Sequence, residues 1–266
     1  MPAGSHSDRS TAPVSYETRD GVSVITLTRP SVLNALNTDL AAALVDTVER
    51  AERDATYAVV VRGAGRAFCA GMDRTALAAG AIGEAFYRFW IRALNRLEDM
   101  PKVSIAVLHG YSIGGGLQLA VACDLRLATS DAVVGLGASR HGIIPDGSVL
   151  RLARLIGLAR AKELSLLNPD ITADAAHAIG LVTRVCAPGD VDAALQAMLE
   201  ALRHQAPTAN GHIKRLLHDS FHADPRARIE DVLRAQDDCM RSWEAAEANR
   251  AWTDRREAVY HPRPGA

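Results

Sequence analysis

Apolar residues along the chain alternate between two spacings, and the places where the spacing changes mark off elements. Residues 22–27 (VSVITL) and 58–62 (AVVVR) are short β-branched runs, and between them Leu40, Leu44, Val45 and Val48 recur at helical spacing behind an Asn37-Thr38-Asp39 capping cluster. This order predicts strand, helix, strand. A second helical stripe of Phe86, Trp90, Leu94 and Leu97 stops at Pro101 and gives way to a strand at 103–108. Glycines within 110–116 break that strand, and 117–123 resumes as a helix too apolar to lie anywhere but inside. Further short strands are expected at 125–128, 132–134 and 181–185, with helices at 149–167, 173–179, 191–204 and over nearly all of 208–259. The pattern is α/β as far as about Cys186 and α-helical beyond it, with no repeat of fixed period.

Composition narrows the classes of partner. The 266 residues are 48% apolar and 23% charged, which suits one large domain or a domain with an appendage. Thirty Lys and Arg stand against 31 Asp and Glu with no basic run, so no surface is expected that could neutralise nucleic-acid phosphates. The longest apolar stretches fall well short of the roughly 20 residues that cross a bilayer. The expected partner is a small molecule or another protein chain. Residues 1–13 (MPAGSHSDRSTAP) lack both a signal-peptide core and an Arg-rich amphipathic pattern, and are expected to form a disordered leader. Cys69, Cys123, Cys186 and Cys239 include no CxxC pair, so neither a disulfide framework nor a thiolate metal site is indicated, and a cytoplasmic protein is expected.

Two glycine-rich turns each follow a strand, one from Gly63 to Asp73 (GAGRAFCAGMD) and one from Gly110 to Gln118 (GYSIGGGLQ). Glycine lets bare backbone approach a ligand, and a helix starting there points unpaired N–H groups and its positive dipole end outward. The second turn is therefore a candidate oxyanion site. A nucleotide fingerprint is absent, since Gly63-Ala-Gly65 lacks a third glycine and no GxxxxGK[ST] occurs. Gly110-Tyr-Ser112-Ile-Gly114 matches GxSxG between a strand and a helix, which keeps open a serine hydrolase using Ser112.

Taken in order, RPSVLNAL (29–36), GRAFCAGMD (65–73), GYSIGGGLQLAVACD (110–124), RAKEL (160–164) and AAHAIGLV (175–182) resemble the enoyl-CoA hydratase/isomerase (crotonase) superfamily over about 14–261. The resemblance implies ββα units wound into a spiral core over 14–200. It also implies a helical region over 201–266 that builds homotrimers or homohexamers and closes the site. The substrate would be a coenzyme A thioester, with coenzyme A entering only as part of the substrate and no permanently bound cofactor. The oxyanion hole would be the backbone N–H groups of Met72 and Gly115, with Ala70 and Asp73 beside the thioester. The turn holding Leu33 and Ala35 would lie near the adenine, and Arg255 or Arg256 would reach cofactor phosphate. A plainer reading of Asp73 is a cap on the helix that follows it.

The resemblance also implies what this chain lacks. Hydratases of the superfamily add water with two glutamates, one as base and one as acid, and those positions match Gln118 and Ala138. Glutamine takes no proton at neutral pH and alanine does nothing, so standard hydration is not expected. The remaining candidate is Asp146 in GIIPDGS (142–148), the neighbourhood where isomerases, naphthoate synthases and 4-chlorobenzoyl-CoA dehalogenases of the superfamily carry aspartates. It would act as acid/base or as nucleophile, although Pro-Asp-Gly is also a turn sequence. His141 and Ser112 are secondary polar candidates, and Phe86, Phe89 and Trp90 read as core more readily than as a wall over the acyl group. A non-catalytic acyl-CoA-binding protein is the alternative of a different class.

Overall fold

The structure, a computed structural model, describes residues 12–222 and 224–261. Its strands in chain order are β1 (Val14–Arg19), β2 (Val22–Leu27), β3 (Ala58–Gly63), β4 (Val103–Leu108), β5 (Tyr111–Ile113), β6 (Leu125–Thr129), β7 (Val133–Gly135), β8 (Ile171–Thr172) and β9 (Arg184–Cys186). Six of them form one sheet in the order β1-β2-β3-β4-β6-β9, parallel except for β1, and β5-β7-β8 form a second. The helices are α1 (Thr38–Arg53), α2 (Arg74–Ala78), α3 (Glu84–Asp99), α4 (Gly115–Ala122), α5 (Val149–Lys162), α6 (Ala173–Ala178), α7 (Val191–Arg203), α8 (Pro207–Asp219), α9 (Ile229–Met240) and α10 (Trp243–Asp254).

A parallel sheet needs helices on both faces, which is why β3 is an unbroken apolar run rather than an alternating one. Val59 and Val61 face a large core shared with α1, α3 and α4, while Ala58 and Val60 face Leu195, Met198 and Leu199 of α7. Helix α7 therefore belongs to the sheet, and it runs across the expected core boundary at residue 200. Asn37 caps α1 by accepting from the Leu40 N–H at 3.0 Å. The Arg126 guanidinium, on β6, donates to the carbonyls of Ala120 and Cys123 at the end of α4 and to that of Leu181.

Some expectations change. Residues 1–11 of the expected leader lie outside the described residues, but Ala12 and Pro13 are tied down, accepting from the Thr28 hydroxyl and N–H. β1 was not expected, and it is an edge strand in which Val14 alone is buried. The strand expected at 181–185 is confined to Arg184–Cys186, because Leu181 and Val182 turn back onto the Ala176 carbonyl. The helix expected over 149–167 breaks at Gly157 (φ +74°) and ends in a π-helical turn, Glu163–Leu167.

A buried ion pair helps join the C-terminal helices to the core. Lys214 Nζ donates to Asp124 at 2.8 Å and to the Leu97 and Lys102 carbonyls, and Asp124 also accepts from Ser104. Removing one partner of such a pair costs about 3–5 kcal/mol. The same region exposes Ile213, Leu217, Phe221, Leu233 and Trp252, the last 84% accessible, whereas Trp243 is half-buried edge-on to Tyr260.

Candidate active site

The two glycine turns meet edge to edge. Cys69 N–H donates to the Tyr111 carbonyl at 3.0 Å and Ile113 N–H donates to the Cys69 carbonyl at 3.0 Å, so β5 pairs with the first turn. Leu36 completes the join, donating to the Gly71 carbonyl at 2.8 Å and accepting from Asp73 N–H at 2.9 Å. Gly114 then reverses the chain into α4 at φ +57° and ψ −119°, a conformation open to glycine alone. Among the hydrogen bonds of the described residues, neither the Met72 N–H nor the Gly115 N–H, at the first position of α4, donates to a protein acceptor. Both residues line one pocket of about 340 Å³.

Ala70, Gln118, Ala138, His141 and Asp146 line the same pocket. Ala138 is buried at the start of a short 3₁₀ turn and adds nothing polar. Gln118 is buried, and its Oε1 accepts from Trp90 Nε1 at 3.2 Å and from Gly147 N–H at 2.8 Å. Asp146 is half-buried on the turn that opens α5, and its Oδ2 is buried with no hydrogen-bond partner among the described residues. Burial pushes its carboxyl above the usual aspartate range, with the Gly147 N–H, its own N–H and Gln118 pulling back. Asp146 is the sole carboxylate among the described residues lining the pocket.

Asp73, Leu33 and Ala35 lie outside this wall. Asp73 caps α2, accepting from the Thr75 and Ala76 N–H groups at 3.1 and 3.2 Å, and pairs with Arg29 at 3.1 Å. The Ala76 N–H and Arg29 hold its carboxyl below the usual range against the opposing effect of burial. Leu33 accepts from Ala70 N–H at 3.0 Å and Ala35 accepts from Arg29, so their turn flanks the first glycine turn. Arg256 is committed to Glu247 at 2.6 Å, while Arg255 is exposed.

The GxSxG reading needs correction. Ser112 sits inside β5, fully buried, and its Oγ has no partner among the described residues, so no described histidine is placed to activate it. Cys69 is no alternative nucleophile, since burial pushes its thiol up to about 12. The aromatic stripe does two jobs: Phe86 and Trp90 are almost fully buried and also wall the pocket, with Tyr87 rather than Phe89 beside them. Sequence reasoning missed Leu77, Ile143 and Ile144 in the wall, and it missed Trp90 as the donor that orients Gln118.

The description of the enoyl-CoA hydratase/isomerase family matches residues 17–263. The chain belongs to that family. Among relatives of this enoyl-CoA hydratase/isomerase family member, a short-chain-enoyl-CoA hydratase of Clostridium acetobutylicum is 30% identical over 92% of this chain and 95% of its own. The 1,2-epoxyphenylacetyl-CoA isomerase of Escherichia coli is 33% identical over 75% of this chain and 79% of its own. The crystal structure of an enoyl-CoA hydratase/isomerase from Marinobacter aquaeolei superposes with a TM-score of 0.85 at 31% identity, covering 92% of this chain and 98% of that one. The α/β core with helices at its C-terminus is thus the crotonase fold.

Proposed function

We propose that this family member is an enzyme that moves a proton within the acyl group of a coenzyme A thioester, through an enolate, and does not hydrate enoyl-CoA. The Met72 and Gly115 N–H groups hold the thioester oxygen as negative charge gathers on it. Ionised Asp146 takes a proton from the α-carbon while the electron pair of that C–H bond moves into the enolate. The resulting carboxylic acid returns the proton at the γ-carbon of a β,γ-unsaturated acyl group, shifting the double bond. The observation that carries this reading is Asp146 itself, a lone pocket carboxylate with one unpartnered oxygen and a raised pKa, which suits proton exchange. Gln118 spends its carbonyl oxygen on Trp90 and Gly147, and Ala138 has no polar group, so neither position matched to a hydratase glutamate offers an acid or base for water.

Coenzyme A enters as part of the substrate, with its adenine near the Leu33–Ala35 turn and its phosphates near Arg255. The exposed apolar side chains of α8 to α10 support a homotrimer or homohexamer. Sedimentation as a monomer at micromolar concentration would count against that assembly.

Incubation of 3-hexenoyl-CoA with the enzyme in D2O tests the reaction. The expected product is the α,β-unsaturated isomer with solvent deuterium at carbon, and Asp146→Asn loses both signals while still binding the ligand. A covalent adduct on Asp146, or solvent oxygen in its side chain, would mean a nucleophile instead. Binding without any exchange would mean a non-catalytic acyl-CoA-binding protein.

A further inference from the structure

The turn carrying Asp146 is held by a peptide group gripped at both ends. Gly147 N–H donates to Gln118 Oε1 at 2.8 Å, and the Gly147 carbonyl accepts from Arg151 Nη1 at 2.7 Å. Arg151 is buried, so the rest of its guanidinium must also be satisfied. Its Nε donates to Glu98 at 2.8 Å and its Nη2 to Asn95 Oδ1 at 2.8 Å, both on α3. The same helix supplies Phe86 and Trp90 to the pocket wall, and Trp90 donates to Gln118. A closed circuit results, running from the acyl wall through Gln118, the Gly147 peptide and Arg151 back to α3. A side chain at Gly147 would have to displace its neighbours, since a Cβ would stand 2.3 Å from Leu94 Cδ1 and 2.6 Å from Gln118 Oε1.

We propose that Arg151 is a positioning residue for Asp146: with Gln118 it fixes the Gly147 peptide plane and so aims the Asp146 carboxyl into the pocket, coupling it to α3. This rests on the acid/base reading of Asp146. Arg151 reaches the turn through the peptide, its Nη1 donating to the Gly147 carbonyl. Lysine cannot replace it, because a single ammonium lacks the planar fork that spans Gly147, Glu98 and Asn95 together.

The experiment compares wild type, Arg151→Ala, Arg151→Lys, Glu98→Gln and Asp146→Asn, each checked for folding by circular dichroism and thermal melting, using 3-hexenoyl-CoA in D2O. Arg151→Ala is expected to lower kcat by about 10²-fold with KM unchanged, the size expected of a misaimed catalytic group. Arg151→Lys falls in between, and guanidinium ion at millimolar concentration, but not ammonium, restores part of the Arg151→Ala rate. Glu98→Gln keeps Arg151 and its packing while loosening its anchor, so a smaller loss of kcat at constant KM is expected even if Arg151→Ala fails to fold. A folded Arg151→Ala at wild-type kcat overturns the proposal, as does a rate loss that guanidinium does not reverse. If Asp146→Asn is inactive and the Arg151 and Glu98 variants are normal, the clamp alone falls. If Asp146→Asn keeps the wild-type rate, the reading of Asp146 and the clamp fall together.

Discussion

The glycine-turn wall of the pocket and the wall formed by 136–148 present different kinds of group to it. In the first, backbone pairs with backbone, Cys69 with Tyr111 and Ile113 and Leu36 with Gly71 and Asp73, the buried Asn34 amide donates to the Ala64, Ala67 and Phe68 carbonyls, and the groups presented are two backbone N–H donors. In the second, side chains hold backbone: Gln118 and Arg151 grip Gly147, and the outcome is a single carboxylate. The difference separates what is generic from what is particular. Oxyanion stabilisation suits any reaction that charges a thioester oxygen, while the choice among such reactions falls to side chains that one substitution can exchange.

The largest effect should follow from breaking the second wall at its carboxylate. Asp146→Asn is expected to lower turnover of 3-hexenoyl-CoA by about 10²–10⁴-fold, the range of a lost general acid/base, with binding measured by calorimetry nearly unchanged. The same variant should melt higher than wild type at neutral pH. A carboxyl whose folded pKa is raised stabilises the fold only while protonated, so its contribution is complete below the ordinary value near 3.8 and is lost as pH rises through the raised value. The difference in melting temperature between the two proteins should therefore shrink on acidification. If the Asn variant is both inactive and less stable at pH 7, Asp146 serves the fold as well as the chemistry, and the contrast between the walls weakens.

The first wall should resist side-chain change but not displacement of its backbone. Gly115→Ala would place a Cβ 2.2 Å from Leu36 Cδ1, and shifting that donor is expected to cost about 10²-fold in kcat with little change in crude affinity. Gln118→Leu should act on stability more than on the oxyanion side. It strands the Trp90 and Gly147 N–H donors in a buried place, at about 1–3 kcal/mol, read by urea denaturation. The smallest effect belongs to Asp73→Ala, which loses a helix cap worth about 1 kcal/mol while kcat stays within a few-fold of wild type. Since the Asp73 carboxyl is held below its ordinary range, that loss should be full at neutral pH and disappear as pH falls through the lowered value.

Much of this division was legible in the sequence, and the reason is local. Asn37 announces α1 and Pro101 closes off α3 because capping and proline geometry act within a few residues. The two turns could be read because their glycines, like the backbone groups they free, are neighbours in the chain. The strand at 181–185 was misplaced because Leu181 and Val182 look like strand residues, whereas pairing to β6 begins only at Arg184. β1 was hidden by its polarity as an edge. Arg151 and Trp90 were beyond reach for another reason: what they do depends on partners in distant segments, and nothing in the neighbourhood of either residue in the sequence names Gly147 or Gln118 as the recipient.

Trp90 also gives the molecule a built-in lamp. Its indole is 1% accessible and hydrogen-bonded inside the pocket, whereas Trp252 is 84% accessible on α10. Aqueous iodide should leave Trp90 shining and extinguish Trp252 only as far as assembly leaves α10 uncovered, with half-buried Trp243 as a steady background. A thioester entering beside Trp90 and Gln118 would then change the colour or brightness of the surviving emission. Occupancy could be followed in a fluorimeter, in real time and with unlabelled protein, whichever acyl group the thioester carries.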